Sequence, residues 1–208
     1  ISGLANSTIH GEENVVSGAG GVVDQMRYIN INGRGNEIFQ FHETVSIFGT
    51  GNKLKNFGSA FALNHGRRIQ IFGINNLHSG LSRDNTIHGT FNSLVSSCTH
   101  NRIHGASNYV SGANFSHFFG NGNSGALSDY SFVHGESNEI RNAKNFVFGD
   151  DNIVTGRKNV IFNDENHVTG SGNFAFGVQE FSSFDDSEIQ MSGDDNFVYG
   201  HDLTITGG

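Results

Sequence analysis

The sequence predicts an all-β protein, a parallel β-solenoid (β-roll) of about 14-residue coils, and three observations carry that prediction. Asparagines stand at 138, 145, 152, 159, 166 and 173, one every seven positions. Two residues after each comes an aliphatic or small residue (Ile140, Val147, Val154, Ile161, Val168, Ala175), usually followed two residues later by glycine (Gly149, Gly156, Gly170, Gly177). The flanks of the aliphatic position alternate. Glu139/Arg141, Ile153/Thr155 and His167/Thr169 form one set, and Phe146/Phe148, Val160/Phe162 and Phe174/Phe176 the other, which doubles the period from seven to 14.

Successive side chains of a strand point to opposite faces, so in Phe146-Val147-Phe148 the valine faces one way and both rings the other. A short strand, a glycine-assisted corner and a second strand then make one coil, with a narrow interior filled by the aliphatic positions alone. One outer sheet is polar and the other aromatic. Each Phe fully buried contributes about 1.5–3 kcal/mol, and large exposed apolar patches mark interfaces, so the aromatic face is expected to meet another chain. Ten of the 19 phenylalanines belong to it: Phe48, Phe72, Phe119, Phe132, Phe146, Phe148, Phe162, Phe174, Phe176 and Phe197.

The chain reads as a single domain over 1–208, irregular over 1–48, with a regular core at 101–177 and an insertion at about 178–195. Ile9-His10-Gly11 and Val16-Ser17-Gly18 are two early units, and Ile29 to Gly33 resembles a further strand. From Val45 the aromatic face is followed by glycines at 49, 73, 89, 105, 120, 135 and 149, by Asn163 in place of glycine, and by Gly177. The extra residues of the longer coils are expected in corner loops between about 50 and 130, because a one-residue slip inside a strand would flip every side chain. Leu203 to Gly208 closes the chain as another coil-like strand.

The asparagines read as a stacked amide ladder at the corners. Gly-Asp-Asp-Asn at 149–152 and 193–196 has some likeness to calcium-binding rolls, but those repeat every nine residues and these do not. Cys98 reads as a buried thiol without a positioned base. No catalytic or metal-ligating constellation stands out, and neither an enzyme activity nor a cofactor is expected. Phe181, Phe184, Asp185 and Asp186 in the insertion are candidate receptor contacts, being aromatics and acids on a loop held by a rigid scaffold. The net charge of −8 argues against a nucleic-acid partner. Without a run of 18 apolar residues or a charged-then-apolar leader, neither membrane insertion nor a secretion signal is expected within this segment.

The run from Asn145 through Lys158, Asn-Phe-Val-Phe-Gly-Asp-Asp-Asn-Ile-Val-Thr-Gly-Arg-Lys, resembles the repeat of YadA-like head domains of trimeric autotransporter adhesins. The resemblance implies a left-handed roll, a homotrimer about a threefold axis, and a place at the bacterial cell surface, anchored in the outer membrane through parts outside this segment. It also implies a host surface glycoprotein or matrix protein as partner. Phe-x-Phe beside the glycine departs from the Ala-x-Ala or Ser-Thr-Val of many such heads. About a threefold axis, His88, His104 and His134, each directly before a glycine of the aromatic face, would each recur three times at one level and could hold a water or an anion. The alternative is a structural spacer, or a phage or injection-machine fibre segment, with no receptor of its own.

Overall fold

A computed structural model describes residues 4–17, 26–39, 42–55, 66–80, 83–96, 98–177, 189–200 and 203–206. These residues are all-β, without helix, and form a parallel β-solenoid. They belong to two compact units, residues 1–112 and 113–208.

Each unit is built from two parallel sheets, A and B, that the chain visits in turn. In the first unit sheet A runs through Met26–Arg34, His42–Thr50, Gly66–Ile74, Thr86–Thr90 and Arg102–Ala106, and sheet B through Glu37–Phe39, Lys53–Lys55, Leu77–Ser79, Ser93–Val95 and Tyr109–Ser111. In the second unit sheet A runs through His117–Asn121, Phe132–Glu136, Phe146–Phe148, Val160–Phe162, Phe174–Gly177 and Phe197–Gly200. Its sheet B runs through Ser124–Ala126, Glu139–Arg141, Ile153–Thr155, His167–Thr169, Ile189–Ser192 and Leu203–Thr206.

The interior is one narrow layer, as the alternation requires. Ile47, Ile71 and Ile87 from sheet A and Leu54, His78 and Leu94 from sheet B are fully buried in the first unit. Val133, Val147 and Ile161 meet Ile140, Val154 and Val168 in the second. His78 occupies an aliphatic position, registered between Leu54 and Leu94, and its Nε2 lies 3.1 Å from Asn85 Nδ2.

Asparagines form ladders along the corners, buried at most rungs and half-buried at Asn14 and Asn196. In the ladder that leads into sheet B, Asn36, Asn52, Asn76, Asn92 and Asn108 each donate from the backbone N and from Nδ2 to Oδ1 of the rung before, at 2.9–3.1 Å. Asn138, Asn152 and Asn166 repeat the pattern in the second unit. The same Nδ2 also reaches the carbonyl of the glycine column: Asn36 to Gly49, Asn52 to Gly73 and Asn76 to Gly89, each at 2.8 Å. Pairing both polar atoms of a buried amide avoids the 1–3 kcal/mol that an orphaned group costs, at roughly that magnitude.

The glycines are required at one column in particular. Gly89 has φ +123°, and a Cβ there would overlap the carbonyl oxygen of Gly105 in the next coil. Asn163 takes the equivalent place at φ 74° and still offers its carbonyl to Asn152 Nδ2 at 2.8 Å. A left-handed asparagine thus substitutes for glycine without interrupting the ladder.

One sequence expectation, that the extra residues of longer coils lie in corner loops, is corrected here. Successive rungs lie 14 residues apart for Asn138 to Asn152 to Asn166, but 16 for Asn36 to Asn52 and 24 for Asn52 to Asn76. The extra residues are not confined to corners: three sheet A strands of the first unit are nine residues long. The reason is chemical, because buried Ile29, Val45 and Ile69 stand where the other coils place Asn85, Asn101 or Asn145. An aliphatic side chain there continues the strand pattern instead of capping the corner. Further on, Ile189–Ser192 pairs with His167–Thr169 and buries Ile189 and Met191.

Candidate functional site

The outer face of sheet A carries the aromatic residues read from the sequence. In the second unit two columns run side by side. One registers Phe132, Phe146, Val160, Phe174 and Phe197; the other Phe119, His134, Phe148, Phe162, Phe176 and Tyr199. Along the columns ring centroids are 5.3 Å apart for Phe132–Phe146, 5.1 Å for His134–Phe148, 6.0 Å for Phe148–Phe162 and 5.0 Å for Phe174–Phe197. Across them Phe146 and Phe148 are 5.0 Å apart. The face is therefore a closed mosaic of rings in contact, not a set of separate apolar spots.

That mosaic remains partly open to solvent in the single chain. Phe146 is 37% exposed, Phe176 36%, Tyr199 66% and Phe197 73%, while Phe119, Phe132, Phe148, Phe162 and Phe174 are half-buried. In the last coil Phe197 stands opposite Phe174 and Tyr199 opposite Phe176 on the same face.

In the first unit the same face carries one column, Phe48, Phe72, His88 and His104. Phe48 and Phe72 stack at 5.1 Å with their planes 2° apart, His88 lies 4.6 Å from Phe72, and His104 lies 4.7 Å from His88. The two imidazoles are thus neighbours on an aromatic support. His134 belongs to the second unit and is exposed.

Other polar candidates are occupied by structural work. Asp150 Oδ1 accepts the backbone N–H of Glu136 at 2.6 Å, and Asp194 Oδ1 that of Ser171 at 2.6 Å, so both Gly-Asp-Asp-Asn passages spend their first carboxylate on coil stacking. Among the described residues no group of three metal-ligating side chains is assembled. Cys98 is fully buried and its Sγ donates to the Val95 carbonyl at 3.0 Å. Arg34 holds the Glu13 carboxyl below its ordinary range, first through hydrogen bonds at 3.1 Å and then through its charge, on an exposed corner. No helix among the described residues is long and apolar enough to cross a membrane. Phe181, Phe184, Asp185 and Asp186 lie outside the described residues.

One pair of rings stands apart from the aromatic face. Phe115 and Tyr130 stack at 5.1 Å with planes 5° apart on the corner that leads into sheet A of the second unit. Their signal in the sequence is position: each directly precedes a buried rung, Ser116 and Ser131, where later coils place Lys144 before Asn145 and Lys158 before Asn159.

No protein-family model and no curated protein matches the chain.

Proposed function

We propose that this chain is the binding head of a bacterial surface adhesin of the YadA-like kind. Three left-handed rolls, with a basic coil of about 14 residues, pack their sheet A faces around a common axis. The outer sheet and corners are left to bind a host surface glycoprotein or matrix protein. Anchoring in the outer membrane falls to parts outside this segment, and the chain itself performs no catalysis.

The observation that carries this reading is the double aromatic column of the second unit, half-exposed in a single chain. Rings that stack on one another at 5–6 Å along several strands form an apolar surface that water solvates poorly, and a second copy of the same surface covers it best. Three weak contacts held on one rigid assembly then gain by avidity.

A spacer or fibre segment is the second reading, favoured by the ladders themselves: Asp150, Asp194 and the buried asparagines serve stacking alone. Light scattering on the purified segment, followed by its binding to host cells and matrix proteins, tests the proposal. A trimer that binds is expected. A stable monomer would remove the trimeric head, and a trimer that binds nothing would leave the spacer.

A further inference from the structure

The two edges of the second unit, where the chain passes between its sheets, differ in chemistry. The passages from sheet A to sheet B carry Asp150, Asp151, Asp164 and Glu165, with Glu136 at the end of a strand before them. Those from sheet B to sheet A carry Phe115, Leu127, Tyr130, Lys144, Arg157 and Lys158, with Asp129 among them and Asp194 and Asp195 in the last. Backbone hydrogen bonds stack the latter passages on one another: Tyr130 N to Asn114 O, Lys144 N to Asp129 O, and Lys158 N to Ala143 O. Phe115, Tyr130, Lys144 and Lys158 thus form successive rungs of one column, two rings followed by two cations.

The residues at this edge are costly where they stand. Phe115, Leu127 and Tyr130 have φ of 56°, 52° and 56°, a region that bulky side chains avoid and that Gly112 and Gly172 supply at neighbouring corners. Folding recovers little from them, because they remain 45%, 67% and 59% exposed. Elsewhere left-handed positions hold Ser96, Asp84 or Ser107, which tolerate both the conformation and the solvent, and also exposed Phe91 and Tyr28 of the first unit; the second unit sets two such rings, Phe115 and Tyr130, in one stack. A local cost that packing does not offset points to function at the surface.

We infer that this edge is a docking strip for an acidic glycan, a polysaccharide bearing carboxylate or sulfate groups. The inference rests on the reading of the chain as a binding head, and it names the face and the partner. Exposed rings offer apolar edges and faces to the C–H groups of a sugar, and the two lysines and Arg157 supply charge for its anionic groups on a chain whose net charge is −8. The nearest acid, Asp129, is turned inward, accepting from Asn114 N at 2.7 Å and Nδ2 at 3.0 Å. Asp194 and Asp195 end the strip beyond Gly172. A narrow strip that runs from coil to coil along one edge suits an extended polymer better than a folded acidic protein. A strip only a few coils long on an acidic chain does not suit nucleic acid.

The test is binding of the purified segment to immobilised heparin, polysialic acid and neutral dextran, with phosphatidylserine vesicles and an acidic protein as further probes. Binding to one or both acidic polysaccharides, weakening with salt, is expected. Both Phe115→Ser/Tyr130→Ser and Lys144→Glu/Lys158→Glu should weaken it at least tenfold, while Lys53→Glu/Lys55→Glu, the same change of charge in the first unit, should change it less than twofold. Equal losses in the control, undiminished binding in both strip variants, or retention only on dextran, vesicles or protein would each overturn the strip. Host-cell binding unchanged in the strip variants would overturn it while leaving the adhesin reading standing. No host-cell or matrix binding by the wild type, with heparin binding lost only in the strip variants, would keep the strip and remove the adhesin.

Discussion

Phe118 and Gly125 share one level of the interior: a Cβ added to Gly125 would overlap Phe118 Cζ and lie 2.7 Å from Ser128 Oγ. Phe118 fills from sheet A the space that an aliphatic residue of sheet B fills in neighbouring coils. Gly125→Val should therefore destabilise the unit by about 1–3 kcal/mol through overpacking. Phe118→Val alone should cost a similar amount through the void it leaves. The double variant, which recreates the Val147/Val154 arrangement, should be more stable than either single one. Denaturant unfolding of the four proteins measures the coupling, and simple additivity would show that the two residues do not compensate.

The ladder should be more sensitive in its middle than at its end. Asn152 donates to Asn138 Oδ1 and Asn163 O and accepts from Asn166 N and Nδ2, so Asn152→Leu orphans groups on both sides and should cost about 2–4 kcal/mol. Asn166 Oδ1 is buried without a hydrogen-bond partner, because the next rung is Ile189. Asn166→Leu removes that orphan along with the donor, so its cost should be smaller by roughly 1 kcal/mol. Thermal melts of the two variants compare them directly.

Phe148 touches His134, Phe132, Phe146 and Phe162. If sheet A is the seam between copies, Phe148→Asp places a charge there with nothing to offset its desolvation. Sedimentation should show monomer or aggregate where the wild type is trimeric. An unchanged trimer would exclude this face as the seam.

Much of this was legible in the residues because a repeat protein writes its geometry locally. The alternation around Val147 and Val154 sets strand, interior and outer face, and the seven-residue spacing of asparagine sets the rungs. These follow from the two-residue period of a strand and from the need to pair a buried amide, neither of which depends on distant contacts. Whatever depends on stacking order was not legible. Only the register of coil on coil shows that Tyr199 joins the Phe176 column, that Ile29, Val45 and Ile69 lengthen strands by replacing rungs, and that Gly125 yields its space to Phe118. Only the stacking of corner passages brings Phe115, Tyr130, Lys144 and Lys158, spread over 44 positions of sequence, onto one edge. A corner residue has no periodic partner in its own strand, and its neighbours are set by the coils on either side.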